Sequence, residues 1–107
     1  MKEILAKDVE KKLNQLTVLD VREVAEVAEG KIPNALHIPL GLIEFRMNEL
    51  DKNVEYTVVC RSGGRSSQAV RFLENQGFKV QNMTGGMLAW EEYQQNKKIC
   101  KLIYPRR

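Results

Sequence analysis

Short apolar runs and helix-spaced apolar positions take turns along this chain. Thr17-Val18-Leu19-Asp20-Val21 and Tyr56-Thr57-Val58-Val59 are brief, β-branched and almost continuously apolar, the pattern of strands buried on both faces. Ala35-Leu36-His37-Ile38 reads as another strand, ended by Pro39, while Pro33 holds Ile32 extended. Ile4-Leu5 and Phe78-Lys79-Val80 mark two shorter ones. Between these, Val9, Leu13 and Leu16 predict a helix over residues 8–16, and an alanine-rich stretch predicts one over 23–29, stopped by Gly30. Leu42, Ile43, Phe45, Met47 and Leu50 predict a third over 42–50. Ala69, Val70, Phe72 and Leu73 predict a fourth over 66–75, begun by Ser66 or Ser67 as cap and closed by Gly77. Gly85-Gly86 open a last helix over 86–94, with Met87 and Trp90 turned to the core. Strands alternating with helices predict an α/β domain with a mostly parallel sheet.

A chain of 107 residues holds one core, not two. Its formal net charge of +3 is mild, and no basic stripe interleaved with aromatics runs through its body, which argues against nucleic acid as a partner. No apolar run approaches the roughly 18 residues that span a bilayer, so no membrane partner is expected. Charge appears within the first few residues, at Lys2 and Glu3, too early for a signal peptide, so a cytoplasmic location is the expectation. A reducing compartment leaves Cys60 and Cys100 as thiols. Two distant cysteines and a single histidine predict no metal site, and no cofactor is called for. The pattern sets no oligomeric state.

Candidate chemistry concentrates in Cys60-Arg61-Ser62-Gly63-Gly64-Arg65-Ser66. A buried strand ends at the cysteine and a helix begins a few residues later. In between, Gly63-Gly64 allow left-handed backbone angles that turn successive N–H groups inward. A sulfur at the centre meets N–H dipoles, a helix N-terminus, and the cations Arg61 and Arg65. Each favours the anion, so the Cys60 thiol is expected below its ordinary pKa of about 8.5. A cysteine that only fills a core needs neither glycines nor arginines around it, which points to a nucleophile. Ligands of open parallel sheets bind outside the carboxyl ends of the strands, and both Cys60 and Asp20-Val21-Arg22 fall at such ends.

Four segments in order resemble the single-domain rhodaneses over roughly residues 3–93. They are Leu19-Asp20-Val21-Arg22-Glu23; Glu29 through Leu40, containing Gly30-Lys31-Ile32-Pro33-Asn34-Ala35; the Cys60–Ser66 loop; and Gly77-Phe78 followed by Gly85-Gly86-Met87-Leu88-Ala89-Trp90. The resemblance implies a three-layer α/β sandwich around a five-stranded, mainly parallel sheet with helices on both faces. It also implies a sulfurtransferase in which Cys60 takes a sulfane sulfur from a small anionic donor, such as thiosulfate or a persulfide. The resulting persulfide passes that sulfur to a thiol or protein acceptor. In this reading the loop residues Arg61, Ser62, Gly63, Gly64 and Arg65 bind the donor and the outer sulfur, with Asp20, Arg22 and Ser66 in support. Lys31 stands where the family often has histidine, and Asn34 where it has glycine. These departures bear on substrate preference.

Asp20 at a strand end is expected to accept backbone or arginine hydrogen bonds that hold the loop, with Arg22 paired to acidic neighbours. His37 is expected to be packed and hydrogen-bonded, and Phe78 and Trp90 to lie in the core. Residues 1–93 then form the rhodanese-like domain and 94–107 a basic extension, where Lys97, Lys98, Lys101, Arg106 and Arg107 flank Ile99, Leu102, Ile103 and Tyr104. That extension is read as solvated, packing a few apolar side chains. The other reading makes it a docking or dimer segment, with Cys100 a resolving thiol for Cys60. Two further functions compete with sulfur transfer. One is a binding or regulatory module of the same fold, although relatives without turnover commonly lack the cysteine. The other is a cysteine phosphatase or arsenate reductase, whose pattern puts arginine six positions after cysteine; here that position is Ser66, and Arg65 comes one residue early.

Overall fold

The computed structural model describes residues 1–104. Five strands, β1 (Glu3–Leu5), β2 (Thr17–Asp20), β3 (Leu36–His37), β4 (Glu55–Val59) and β5 (Lys79–Thr84), form one sheet in the order β1-β5-β4-β2-β3, and every pairing is parallel. The helices are α1 (Ala6–Lys11), α2 (Val24–Ala28), α3 (Ile43–Arg46), α4 (Gly64–Asn75) and α5 (Gly86–Ile103), with 3-10 turns at Leu40–Leu42 and Met47–Glu49 flanking α3.

Alternation along the strands builds two cores. Leu19 and Val58 face one side of the sheet with Ala69, Val70 and Leu73 of α4, Ile43 of α3, Leu50 and Phe78. Their neighbours Val18 and Val59 face the other, with Ala6 and Val9 of α1, Met87 and Trp90 of α5, and Ile32. Period-two alternation in a strand sends consecutive residues to opposite faces, so a continuous apolar run is what a doubly covered sheet needs. Cys60 continues β4 on the α4 side.

Several boundaries differ from the sequence reading. β5 runs six residues instead of three and carries buried polar residues: Gln81 donates from Nε2 to Thr57 Oγ1 on β4 at 2.9 Å, while Asn82 Oδ1 is buried with no partner among the described residues. The stretch 42–50 divides into 3-10, α and 3-10 turns, and α1 ends at Lys11, with turns carrying the chain to Leu16. α4 begins at Gly64, two residues before the expected cap. Gly63 takes the N-cap position at φ 114°, and the Ser66 and Ser67 hydroxyls both bond back to its carbonyl. α5 continues without a break across residue 94 to Ile103, so residues 94–103 are helical. Arg106 and Arg107 lie outside the described residues.

All strands being parallel, their carboxyl ends share one edge. The bonding there continues past the strands: Val21 N–H donates to Val59 O, Ile38 N–H to Asp20 O and Leu40 N–H to Val21 O, each at 3.0 Å. This edge carries the loop after β4.

Candidate active site

Cys60 leaves β4 at the centre of the sheet, and the chain turns through Arg61-Ser62-Gly63 into α4. The positive φ of Gly63 aims its own N–H back at the sulfur, which it reaches at 3.0 Å. Ser66, buried in the first turn of α4, places Oγ 3.2 Å from Sγ. Its hydroxyl proton has two acceptors in reach, Sγ and the Gly63 carbonyl. The carbonyl is already served by Ser67, through Oγ at 2.6 Å and N at 3.0 Å, which leaves the Ser66 proton for the sulfur.

Burial pushes the Cys60 thiol up. The Ser66 hydroxyl and the N–H groups of Ser66, Gly63 and Ser62 together outweigh it, and the thiol settles below its ordinary range. Cys60 is only 1% exposed, more enclosed than a loop nucleophile read from sequence, while Arg61, Ser62 and Gly64 beside it are open to solvent. The sulfur therefore sits beneath its loop, in reach of donors that favour charge on it.

A second helix secures the loop from the other side. Met87 N–H donates to Cys60 O at 2.8 Å and Leu88 N–H to Arg61 O at 3.0 Å, so the first turn of α5 pairs with the loop backbone. The approach is so close that a Cβ on Gly86 would lie 2.5 Å from Cys60 O and 2.6 Å from Arg61 O. Gly86 has φ 59°, so both space and angle demand glycine.

The remaining sequence candidates divide into groups. Asp20 and Arg22 form a buried ion pair: Nε of Arg22 donates to both carboxylate oxygens at 3.1 Å, and an Nη donates to Oδ2 at 2.8 Å. Arg22 also donates to Gly30 O at 2.7 Å and Glu26 O at 3.3 Å, tying the end of β2 to α2 and the loop beyond it. His37 Nε2 lies 2.7 Å from the Arg22 carbonyl, so that nitrogen carries the proton and the ring buttresses the same turn. Arg65 does not face the sulfur alone. It forms a two-pronged bond to Glu26 at 2.6 and 2.8 Å, which draws the Glu26 carboxyl down to about 2 through that bond above all. Arg61 makes no ion pair among the described residues and lines a cavity of about 220 Å³ with Glu26, Glu29, Met87 and Glu91.

Asn34 has φ 63°, a left-handed angle that favours glycine and that asparagine tolerates better than most residues. Cys100 lies thirteen residues along α5 from Met87, about 20 Å at 1.5 Å per residue, and a disulfide needs Cα atoms within about 7 Å. Within one chain Cys100 is out of reach of Cys60, and both are free thiols.

Sequence reasoning missed Glu26, the partner of Arg65, and Asn82, a buried β5 residue whose Nδ2 donates to Ser67 Oγ at 3.3 Å under the loop. Nothing in a short alanine-rich helix marks Glu26 as a site residue. A polar residue beside Met83 in a strand was the available signal for Asn82.

The cysteine, its glycine turn and the paired start of α5 have their counterpart in the sequence: residues 3–93 match the family model of the rhodanese-like domain. The chain belongs to the rhodanese-like family. It is 53% identical over 77 residues to YtwF of Bacillus subtilis, a protein named as a candidate sulfurtransferase, covering 72% of this chain and 75% of that one. It is 44% identical over 77 residues to a sulfurtransferase of Allochromatium vinosum, covering 71% and 72%. The crystal structure of a rhodanese-related protein from Thermoplasma volcanium superposes with a TM-score of 0.84 at 34% identity, over 87% of this chain and 93% of the other. At family level this rhodanese-like chain is a sulfurtransferase-type domain.

Proposed function

We propose that this chain transfers sulfane sulfur through a persulfide on Cys60. The thiolate attacks the outer sulfur of a donor such as thiosulfate or a thiol persulfide; a new S–S bond forms, the donor's S–S bond breaks, and sulfite or a thiolate departs with its electron pair. Transfer onward reverses the roles: an acceptor thiolate attacks the outer sulfur and Cys60 leaves as thiolate. One observation carries the reading, the Gly63 N–H at 3.0 Å and Ser66 Oγ at 3.2 Å on Sγ at the start of α4. A group set this way is stabilised as an anion before attack and again as a leaving group.

In this proposal Ser62, Gly63 and Gly64 supply the wall around the outer sulfur, and Arg61 is the open cation that a donor meets. Arg65 acts with Glu26 attached, so it steadies the loop more than it attracts a donor. Asp20 and Arg22 hold the neighbouring turn. A donor enters through the exposed loop to reach a sulfur below it. Both cysteines as thiols suit a reducing compartment.

The phosphatase alternative is weaker on geometry, since position 66 is a buried serine engaged with the sulfur and not an arginine. The remaining alternative, a module that binds without turnover, is separated by intact-mass measurement after incubation with thiosulfate and with an alkyl persulfide. A gain of one sulfur atom, removed by cyanide and absent in Cys60→Ala, is the expected result. No gain with any sulfane donor would favour the binding module.

A further inference from the structure

The Cys60 loop contains a carbonyl with more donors in reach than it has lone pairs. Gly63 O accepts from Ser67 Oγ at 2.6 Å and from Ser67 N at 3.0 Å, and Ser66 Oγ lies 3.2 Å away. A carbonyl oxygen has two lone pairs, so the two Ser67 donors fill it. The Ser67 oxygen is itself served by a third residue, Asn82, whose Nδ2 donates to it at 3.3 Å. The Asn82 amide lies against the loop, since a Cβ on Gly63 would fall 3.9 Å from Nδ2. That side chain is only 3% exposed, and its Oδ1 has no partner among the described residues. A buried acceptor without a bond costs stability, so its retention asks for a reason. Turning the amide over would give Oδ1 the Ser67 proton at the expense of the Gly63 carbonyl. The orientation found leaves the orphan in place and keeps the carbonyl filled.

We propose that Ser67 and Asn82 are positioning residues for the Cys60 nucleophile, occupying the Gly63 carbonyl so that the Ser66 proton has only the sulfur to bond. The effect works through the neutral thiol as much as through the anion. Thiol sulfur is a weak acceptor. With the carbonyl free, the Ser66 hydroxyl would bond Gly63 O in the thiol form and give that bond up on ionisation. With the carbonyl filled, the neutral form has no such bond to lose. Neither residue is bonded to the sulfur; both act through Ser66. This deepens the sulfur-transfer reading at the same atom, but its readout, the ionisation of Cys60, needs no sulfur donor.

The test is the pH profile of Cys60 alkylation by iodoacetamide in a Cys100→Ser background, which removes the exposed second thiol. The midpoint of that profile reports ionisation and not access. Ser67→Ala should raise it by about half to one pH unit, a threefold to tenfold loss of thiolate below the midpoint, the usual worth of one neutral hydrogen bond. Ser67→Thr keeps the hydroxyl and should restore the original midpoint. Asn82→Ala should raise it by less, because Ser67 keeps its proton and loses only what aims it. Asn82→Leu, closer in volume, repeats the measurement where Asn82→Ala does not fold. Two double variants identify the route. In a Ser66→Ala background Ser67→Ala should add no shift, and in a Ser67→Ala background Asn82→Ala should add none.

An unmoved midpoint in Ser67→Ala, failure of threonine to restore it, or a shift that persists without the Ser66 hydroxyl would overturn the proposal. The last result would make Ser67 a general support of the loop. An unmoved midpoint in the Asn82 variants, or a shift there that persists without the Ser67 hydroxyl, would overturn the part given to Asn82. Sulfur loading by thiosulfate and by an alkyl persulfide is followed in parallel by intact mass. A wild type whose thiol ionises as described but gains no sulfur would refute sulfur transfer and leave the positioning role standing.

Discussion

At the scale of single residues, the site is a contest over one sulfur. Burial opposes the thiolate, and the Ser66 hydroxyl leads the groups that overcome it. Ser66→Ala removes a bond to an anion, worth about 1.5–3 kcal/mol, so thiolate chemistry at neutral pH should slow by about tenfold or more. The pH profile of Cys60 alkylation checks the cause: the wild-type midpoint should fall below the ordinary thiol range, and Ser66→Ala should move it up. A second residue-scale effect lies in Glu26. Its carboxyl is held at about 2 against an ordinary 4.5, chiefly by the Arg65 bond, with the Glu23 N–H assisting. A depressed acid stabilises the fold above its unfolded pKa and loses that contribution as pH falls through the folded one. The window is therefore pH 4.5 down to about 2. After allowance for partial exposure the contribution is about 1 kcal/mol. Denaturant melts should show Glu26→Gln less stable by about that much at pH 7 and equal to wild type near pH 2.

At the scale of elements, two joints hold the loop. One is the start of α5, where Met87 and Leu88 N–H groups bond Cys60 and Arg61 carbonyls over a glycine. Gly86→Ala places a methyl inside contact distance of that backbone at a left-handed φ. The clash and the backbone strain together should cost about 2–4 kcal/mol. Chemical denaturation should record that loss, and sulfur loading should fall even where the variant remains folded, because the shifted joint carries Cys60 with it. The other joint is the Asp20–Arg22 pair at the end of β2. Asp20→Asn leaves a buried guanidinium without its counter-charge, and the loss should be about 3–5 kcal/mol in the same measurement. The element boundaries were only partly legible. Tyr56-Thr57-Val58-Val59 announced a strand because its residues are β-branched and apolar. Gln81 and Asn82 concealed half of β5, because their partners Thr57 and Ser67 lie far away in sequence.

At the scale of the whole molecule, α5 begins in the site and ends outside the fold. Its middle rests on α1, where Glu10 accepts from Gln94 and Lys97. Beyond Lys98 it projects, with Leu102 82% exposed and Ile99, Cys100, Ile103 and Tyr104 also open. No described helix is long and apolar enough to cross a membrane. Ending the chain after Lys98 removes no buried side chain among the described residues, so its stability should remain within about 0.5 kcal/mol of the full chain and Cys60 should load sulfur at the same rate. Thermal melting and intact mass together check this. A large loss in either would mean that residues 99–107 support the domain.

Local pattern by itself determined the alternation of strands and helices, the strand end that carries Cys60, and the glycines that free its loop. Each of these depends on neighbours in sequence: β-branching, helical spacing, and backbone angles open to glycine. The donors on the sulfur, Gly63 and Ser66, are sequence-local as well, but the charge pairing around them came only with the tertiary structure. Arg65 and Glu26 are thirty-nine positions apart, and no local rule pairs them, so the loop's apparent surplus of positive charge could be counted in the sequence but not its neutralisation. The same holds for the closeness of Gly86 to Cys60 and the distance of Cys100. Chain-local chemistry chose the nucleophile; long-range packing chose the electrostatic field around it, because charges act through space and not along the chain.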